Sequence, residues 1–278
     1  LVGYIEWILR YRWLVIAAIA VITAVLLTYA KNLRMVIDPN TMLPFEHPYV
    51  VTTLEVEKIF GSKYVVVIGI TPKQGDIYQA AVLEKVQRLT MKLRETPGVV
   101  RENLLSLSAR KAKDIVGTAE GMEVRPLMLE VPRTPAAMQR LREAVQRNPA
   151  YHNSIVAKDG RTTAILAEYR DAGGGGFRKI MADVAPLIAA ERDASVDIAV
   201  GGLPEFLAQI EIFSDRIVWL FPLAVLIVGL IHFEAFRSWQ GLILPLVTPL
   251  LAVIWGLGMM GAAKIPLDIF NAFTPILI

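Results

Sequence analysis

The sequence contains no cysteine and only three histidines among its 278 residues. Disulfides, thiolate metal sites and cysteine nucleophiles are therefore excluded. His47, His152 and His232 are far apart, and no carboxylates are spaced around them as a zinc site requires. Because no hydrolytic or metal constellation is present, we expect neither enzymatic activity nor a bound cofactor.

A strong charge of one sign is also missing. The chain has 29 basic and 26 acidic residues, for a net charge of +3. The basic side chains are scattered among nearly as many acids, whereas nucleic-acid binding proteins cluster them on one face. The sequence therefore argues against nucleic acid as a partner.

Charge is absent altogether from three long apolar runs. They are residues 13–30, 217–233 and 238–263, and a further run begins at residue 269. A helix needs ~17–25 apolar residues to cross a bilayer. Since hydrophobic residues make up 54% of the chain, we expect a membrane protein with an aqueous domain at residues 31–216.

The first run favours a spanning helix over a cleaved signal peptide. Signal peptides have apolar cores of roughly 7–15 residues, and Thr28-Tyr29-Ala30 is a poor cleavage site. Orientation stays open at this point, because Arg10 and Arg12 precede the run while Lys31 and Arg34 follow it.

The first part of the aqueous domain predicts a βαβ unit. A β-branched run at residues 64–70 indicates a strand, and residues 99–107 can form the returning strand. Between them, apolar residues recur at the period of a helix face from Ile77 onwards, with Asp76 as the expected N-cap. Residues 117–132 look irregular.

The second part repeats the pattern after an inserted helix. Thr134-Pro135 begins that helix, which ends near Arg147, and Asp159-Gly160 predicts a hairpin. A helix at residues 177–192 and a strand at residues 196–200 follow. The order predicts an α+β domain of ferredoxin-like, split βαβ type.

Two features of this domain have alternative interpretations. The glycines at residues 173–176 favour a hinge over a phosphate loop, because no Lys-Ser/Thr follows them. From Glu205 an amphipathic helix runs directly into the second apolar run. That continuity is compatible either with mechanical coupling between domain and membrane or with a passive connection.

Several strings in order resemble the first half of resistance–nodulation–division (RND) superfamily transporters, in the MmpL-like and hydrophobe-exporter branches. They are VIDPNTMLPFEHP, VAKDGRTTAILAEY, GGLPEF, FRSWQGLILPLVTPLLAVIWGLGMMG and PLDIFNAFTPIL, which begin at residues 36, 156, 201, 236 and 266. The resemblance implies a multi-pass protein of the bacterial inner (cytoplasmic) membrane. It also implies a cytoplasmic N-terminus and a large domain in the periplasm.

The resemblance implies a domain order along the chain. A complete family member has about twelve spans, so we expect the chain to correspond to the first half. The expected segments are an N-terminal segment with transmembrane helix 1 (1–30), a periplasmic ferredoxin-like porter domain (31–213), transmembrane helix 2 (214–235), transmembrane helix 3 (236–263) and a periplasmic turn with the start of transmembrane helix 4 (264–278).

By this resemblance we expect a proton-driven exporter of a lipid or other hydrophobic substrate. The alternatives are a non-transporting lipid sensor or scaffold and an accessory protein of protein export. Expected partners are membrane lipids, the substrate, and a second copy or other envelope proteins. The complete apolar runs contain no Asp, Glu, Lys or Arg, and the family's proton-relay positions fall after Ile278.

The start of the fourth span supplies the transport candidates Asn271, Thr274 and Pro275. In the third run, Gly256, Gly258 and Gly261 predict a face for close helix contact. Trp7 and Trp13 fit an aromatic belt at the membrane interface better than Trp219, Trp239 and Trp255 do, and we expect an interfacial position for His232.

Overall fold

The computed structural model describes residue 7 and residues 10–33, 46–119, 121–170, 176–265 and 267. The chain divides into two compact units. We refer to Leu1–Val51 together with Phe213–Ile278 as the membrane unit, and to Thr52–Ile212 as the sheet unit. Each is described separately below.

The described elements follow one another in this order: α1 (Arg12–Ala30), α2 (Pro48–Phe60), β1 (Val65–Pro72), α3 (Ala80–Glu95), β2 (Lys113–Thr118), β3 (Gly121–Pro126), α4 (Pro135–Arg147), β4 (Thr163–Glu168), α5 (Gly176–Glu191), β5 (Val196–Gly202), α6 (Leu203–Phe236) and α7 (Trp239–Ala262).

Two of the described helices are long and apolar enough to cross a membrane. They are α1 and α7, which correspond to the first and third apolar runs. The second run lies within α6, where the described apolar stretch is the shorter segment Pro222–Phe236. Since α6 is one continuous helix of 34 residues, the chain passes from the sheet unit into the membrane unit without leaving helical conformation.

The sheet unit is built on a three-stranded sheet in the order β4–β1–β5. Both neighbours of β1 are antiparallel to it, with Ile68 opposite Ile165 on one side and Val200 on the other. Alternate β1 residues Val66, Ile68 and Ile70 are fully buried, since successive strand residues point to opposite faces. Helix α3 packs on this sheet and on α5.

Several local predictions are confirmed. The strand at residues 64–70 is β1, and the predicted helix at residues 177–192 is α5. Thr134 caps α4 by accepting a hydrogen bond from the Ala137 amide at 3.2 Å, with Pro135 at the first helical position. In each case the signal lies in adjacent residues, so tertiary context does not override it.

The predicted strand at residues 99–107 is wrong. The segment forms turns joined to the sheet only by the isolated bridges Val99–Tyr169 and Leu105–Leu166. Between these bridges the backbone turns, with the Asn103 backbone N–H donating to the Val100 carbonyl oxygen at 3.0 Å. The Asn103 side-chain amide donates to the Glu168 carboxylate at 2.8 Å. The segment nevertheless lies along the free edge of β4.

The prediction of irregular structure at residues 117–132 is also wrong. Most of that region belongs to the hairpin β2–β3, in which Ile115 lies opposite Val124. The hairpin is a separate two-stranded sheet, and every described residue of β3 is exposed. Met122 and Val124 of β3 alternate with Glu123 and Arg125, a short period-2 signal that the prediction of irregular structure overlooked.

Two turns differ from their predictions in detail. Helix α3 begins at Ala80 after Gln79, while Asp76 accepts from the Tyr78 amide at 3.0 Å in a turn before the helix. The turn at Asp159-Gly160 is present, and it leads into β4. The first arm of the predicted hairpin is joined to β4 by the isolated bridge Val156–Thr163 and by the Ala164 N–H, which donates to the Ile155 carbonyl oxygen at 2.7 Å.

Candidate functional site

The transport candidates Asn271, Thr274 and Pro275 lie outside the described residues. They stay a prediction. Within the membrane unit, the structure instead defines a tight helix pair, α1 with α7, and an apolar groove between α6 and α7.

The α1–α7 pair is built around two glycines of α7. A Cβ at Gly258 would lie 2.5 Å from the Leu26 Cβ and 2.6 Å from the Leu26 carbonyl oxygen. A Cβ at Gly261 would lie 2.3 Å from the Tyr29 carbonyl oxygen. The backbones approach so closely because these residues have no side chain. The prediction of a contact face is confirmed for both, but wrong for Gly256, where a Cβ would meet no heavy atom within 4 Å.

A polar contact joins the same two helices. The Trp255 indole Nε1 donates to the Thr23 hydroxyl at 2.9 Å, and that hydroxyl in turn lies 2.7 Å from the Ile19 carbonyl oxygen. Thr23 lies in the middle of α1, and an interfacial position of Trp255 stays a prediction. Its N–H finds a partner within the protein, which removes the need for headgroup or water contact.

The groove between α6 and α7 has a volume of about 690 Å³. Its lining is aliphatic and aromatic, including Leu226 and Leu230 on one helix and Leu242 and Leu246 on the other. Such a lining suits an acyl chain or another apolar helix and supplies no group for acid–base chemistry.

The turn at the end of this helical hairpin is polar. Arg237 pairs with Glu234 at 2.8 Å, and Ser238 caps α7 by accepting from the Gly241 amide at 3.1 Å. His232 Nδ1 lies 2.9 Å from the Val228 carbonyl oxygen of its own helix. The imidazole therefore has a partner on its own helix.

Charged chemistry in the sheet unit is concentrated where α3 meets α5. Buried Glu191 accepts from the Arg88 guanidinium at 2.7 Å and pairs with Lys92 at 3.3 Å. The hydrogen bond from Arg88 lowers the pKa of the Glu191 carboxyl below its ordinary value. Lys85 donates to the Glu191 backbone oxygen at 3.0 Å and to Asp193 at 2.7 Å, and its bond to Asp193 lowers the pKa of that carboxyl.

The ion pairs of Glu191 with Arg88 and Lys92 join α5 to α3. Among the residues that the structure describes, no three histidine, aspartate or glutamate side chains are grouped closely enough to hold a metal ion. We therefore interpret this cluster of charges as a structural contact between two helices.

Sequence reasoning missed Thr23 as a partner of Trp255. The only signal was a hydroxyl inside an otherwise apolar run, which by itself names no partner. It also missed two carboxylates of the sheet unit, Glu168 and Glu211, which accept hydrogen bonds from distant backbone amides.

Comparison with known proteins bears on this membrane unit and on most of the sheet unit. The model of the MMPL family matches residues 75–277 of the chain. A protein of Methanocaldococcus jannaschii named "Putative membrane protein MJ1562" is 24% identical over 278 residues. The match covers 94% of this chain and 66% of that protein, so the chain spans just under two thirds of the relative's length.

Proposed function

Since the chain belongs to the MMPL family of transporter-type membrane proteins, we propose that it is part of a proton-driven transporter of the RND superfamily. It exports a lipid or other hydrophobic substrate from the membrane by way of the sheet unit. Membrane lipids are its partners and the proton gradient drives it, and it uses no bound cofactor.

The observation that carries the proposal is α6. A single helix, Leu203–Phe236, begins at the last strand of the sheet unit and contains the apolar stretch Pro222–Phe236 of the membrane unit. Force on the sheet unit can pass along such a helix because it lacks a flexible linker. This favours mechanical coupling over the passive connection.

The strand order supports assignment of the sheet unit as a ferredoxin-like porter domain. The order β4–β1–β5 with antiparallel neighbours is that of a split βαβ fold. The segment bridged to the free edge of β4 then stands where the fourth strand would be. In the proposed topology, this unit lies on the outer side of the cytoplasmic membrane and the α6–α7 turn lies inside.

The topology can be tested because the chain has no cysteine. Single cysteines at Met122, in the exposed hairpin, and at Arg237, in the α6–α7 turn, report the two sides. A membrane-impermeant maleimide added to intact cells should label Met122→Cys but not Arg237→Cys, and both should react after permeabilisation. Labelling of Arg237→Cys alone would contradict the topology.

Transport is tested with the full-length protein in proteoliposomes. An imposed proton gradient should accelerate transfer of a fluorescent phospholipid to acceptor vesicles, and an ionophore should abolish the acceleration. Lipid binding without gradient-dependent transfer would support the sensor or scaffold instead. Variants Asn271→Ala and Thr274→Val then test whether the start of the fourth span contributes.

A further inference from the structure

Both connections between the two units run through helices. The boundary at Val51 and Thr52 falls within α2, and the boundary at Ile212 and Phe213 falls within α6. On the sheet-unit side of each boundary, a glutamate accepts hydrogen bonds from backbone amides that are distant in sequence.

At the second connection the glutamate is Glu211, on α6. Its two carboxylate oxygens accept from the amides of Phe177, at 3.0 Å, and Arg178, at 2.8 Å. The Arg178 guanidinium donates back to the Glu211 carbonyl oxygen at 3.1 Å. The first turn of α5 is therefore joined to α6 in both directions, and the carboxylate lies at the positive end of the α5 dipole.

At the first connection the glutamate is Glu168, at the end of β4. It is only 9% exposed. One oxygen accepts from the Ser62 amide at 2.7 Å, two residues after α2 ends, and the other accepts from the Asn103 side chain at 2.8 Å. The residues just after α2 are thus held against the sheet.

The two sites share a further feature, a glycine with positive φ directly before the bound amide. Gly61 has φ +108° and Gly176 has φ +69°, conformations that disfavour other residues. A Cβ at Gly61 would lie 2.7 Å from Glu168 Oε1, and one at Gly176 would lie 2.8 Å from Glu211 Oε1. In contrast, Asp76, Asp159 and Asp193 accept from amides only two residues away, as ordinary turns do.

We propose that Glu168 and Glu211 are positioning residues that clamp the two connections to the sheet unit. Glu168 holds the residues after α2 against β4, and Glu211 joins α5 to α6 so that these two helices move as one rigid body. The role of the clamps in transport rests on the proposed function. In a transporter, displacement of the sheet unit would reach the apolar stretch of α6 undiminished only if α5 and α6 do not separate.

The first test measures the clamps directly, by amide hydrogen exchange of the full-length protein in lipid nanodiscs. Glu211→Ala should speed exchange at residues 177 and 178 by about tenfold or more, and Glu168→Ala should do the same at Ser62. The matched control is Glu205→Ala on α6, whose carboxylate accepts a hydrogen bond from the Gln209 side chain of the same helix at 2.9 Å. Peptides from β1 should stay protected in every variant, which reports an intact fold.

Glu211→Gln serves if Glu211→Ala does not fold, because the amide side chain keeps an acceptor oxygen but loses the charge. We expect exchange rates between those of the wild type and Glu211→Ala. Unchanged exchange at residues 177 and 178, or equal acceleration by Glu205→Ala, would overturn the clamp.

The second test measures rigidity with spin labels at Lys179→Cys and Gln209→Cys, one on each helix. The distance distribution should be narrow in the otherwise unchanged chain and should broaden when Glu211→Ala is added. A distribution unchanged by Glu211→Ala would overturn the rigid-body inference.

The third test uses the lipid-transfer assay. Glu211→Ala should lower the maximal rate by about tenfold while leaving the half-saturating lipid concentration unchanged, as expected for lost transmission and not lost binding. If wild-type protein transfers no lipid, the proposed function fails while exchange and distance data still decide the clamp. If transfer proceeds at the wild-type rate in Glu211→Ala, the role in coupling is overturned.

Discussion

The two units solve the problem of apolar surface in opposite ways. In the sheet unit, strand β1 and helix α3 bury their apolar side chains inside the unit, and buried Glu191 is matched by cations. In the membrane unit, α1 has no buried residue, and large side chains such as Leu14 and Val21 are more than half exposed. The difference follows from the solvent, because lipid accepts apolar side chains that water would exclude.

The consequence is that stability depends on different atoms in each unit. The sheet unit relies on burial of large side chains, whereas the described contacts of α1 with α7 rely on the absence of side chains at two glycines. Three predictions test this contrast, from the largest expected effect to the smallest.

Removing a buried side chain should damage the sheet unit most. Leu89 of α3 is fully buried, so Leu89→Ala should lower the free energy of unfolding by about 2–5 kcal/mol. Met91 on the same helix is 57% exposed, and Met91→Ala should change it by less than about 0.5 kcal/mol. The free energy of unfolding of both variants is measured by titrating the purified protein with denaturant and monitoring how susceptible the sheet unit is to proteolysis. Similar losses would contradict an internal core.

Adding a side chain should damage the membrane unit. Gly258→Ala should destabilise the α1–α7 pair by about 1–3 kcal/mol, because the new methyl group overlaps Leu26. Gly256→Ala on the same helix introduces its methyl group into open space and should be neutral. Melting temperatures in detergent compare the two. A lower melting temperature for Gly256→Ala than for Gly258→Ala would show that the helices pack on another face.

Charge should matter for stability mainly in the sheet unit, and in a way that depends on pH. The hydrogen bond from Arg88 lowers the pKa of Glu191 in the folded state below its ordinary value. The contribution of Glu191 to stability is therefore present above the unfolded-state pKa and is lost as pH falls through the folded-state pKa. Glu191→Gln should cost about 1–2 kcal/mol at pH 7 and show a smaller loss of stability on acidification. Unfolding measured between pH 7 and about pH 3 checks this.

The control for the pH experiment is Glu102→Gln, which alters an exposed carboxylate in the turns after α3. It should leave the acid-induced loss of stability as in the wild type. A Glu191→Gln profile that parallels the wild type would show that other carboxylates cause the loss.

Local signals predicted the elements whose determinants are adjacent in the chain. The Thr134 cap and the β-branched run of β1 are examples, and both are present. The failures occurred where the outcome depends on distant contacts or on no burial at all. Strand β3 is exposed along its whole length, so its short apolar alternation marks no core. Within the wrongly predicted strand at residues 99–107, the Asn103 side chain bonds to a carboxylate 65 residues away.

Predictions about the candidate site also succeeded where the determinants are local and failed where they are distant. The composition and the order of the motifs along the chain predicted a membrane protein of the MMPL family. This was possible because the length and apolarity of a membrane span are properties of the sequence itself. Sequence also predicted that glycines of α7 lie at a helix contact. It could not identify which of them do, since that depends on the rotation of α7 against α1.

What the sequence by itself determined, then, is the distribution of apolar runs, the Thr134 cap, the β-branched run of β1 and the family. The tertiary structure decided which polar groups meet. Trp255 finds Thr23 across 232 residues, and Glu168 finds the Ser62 amide across 106. The physical reason is that a hydrogen bond is satisfied by whichever partner packing brings within about 3 Å, and no local pattern records that partner.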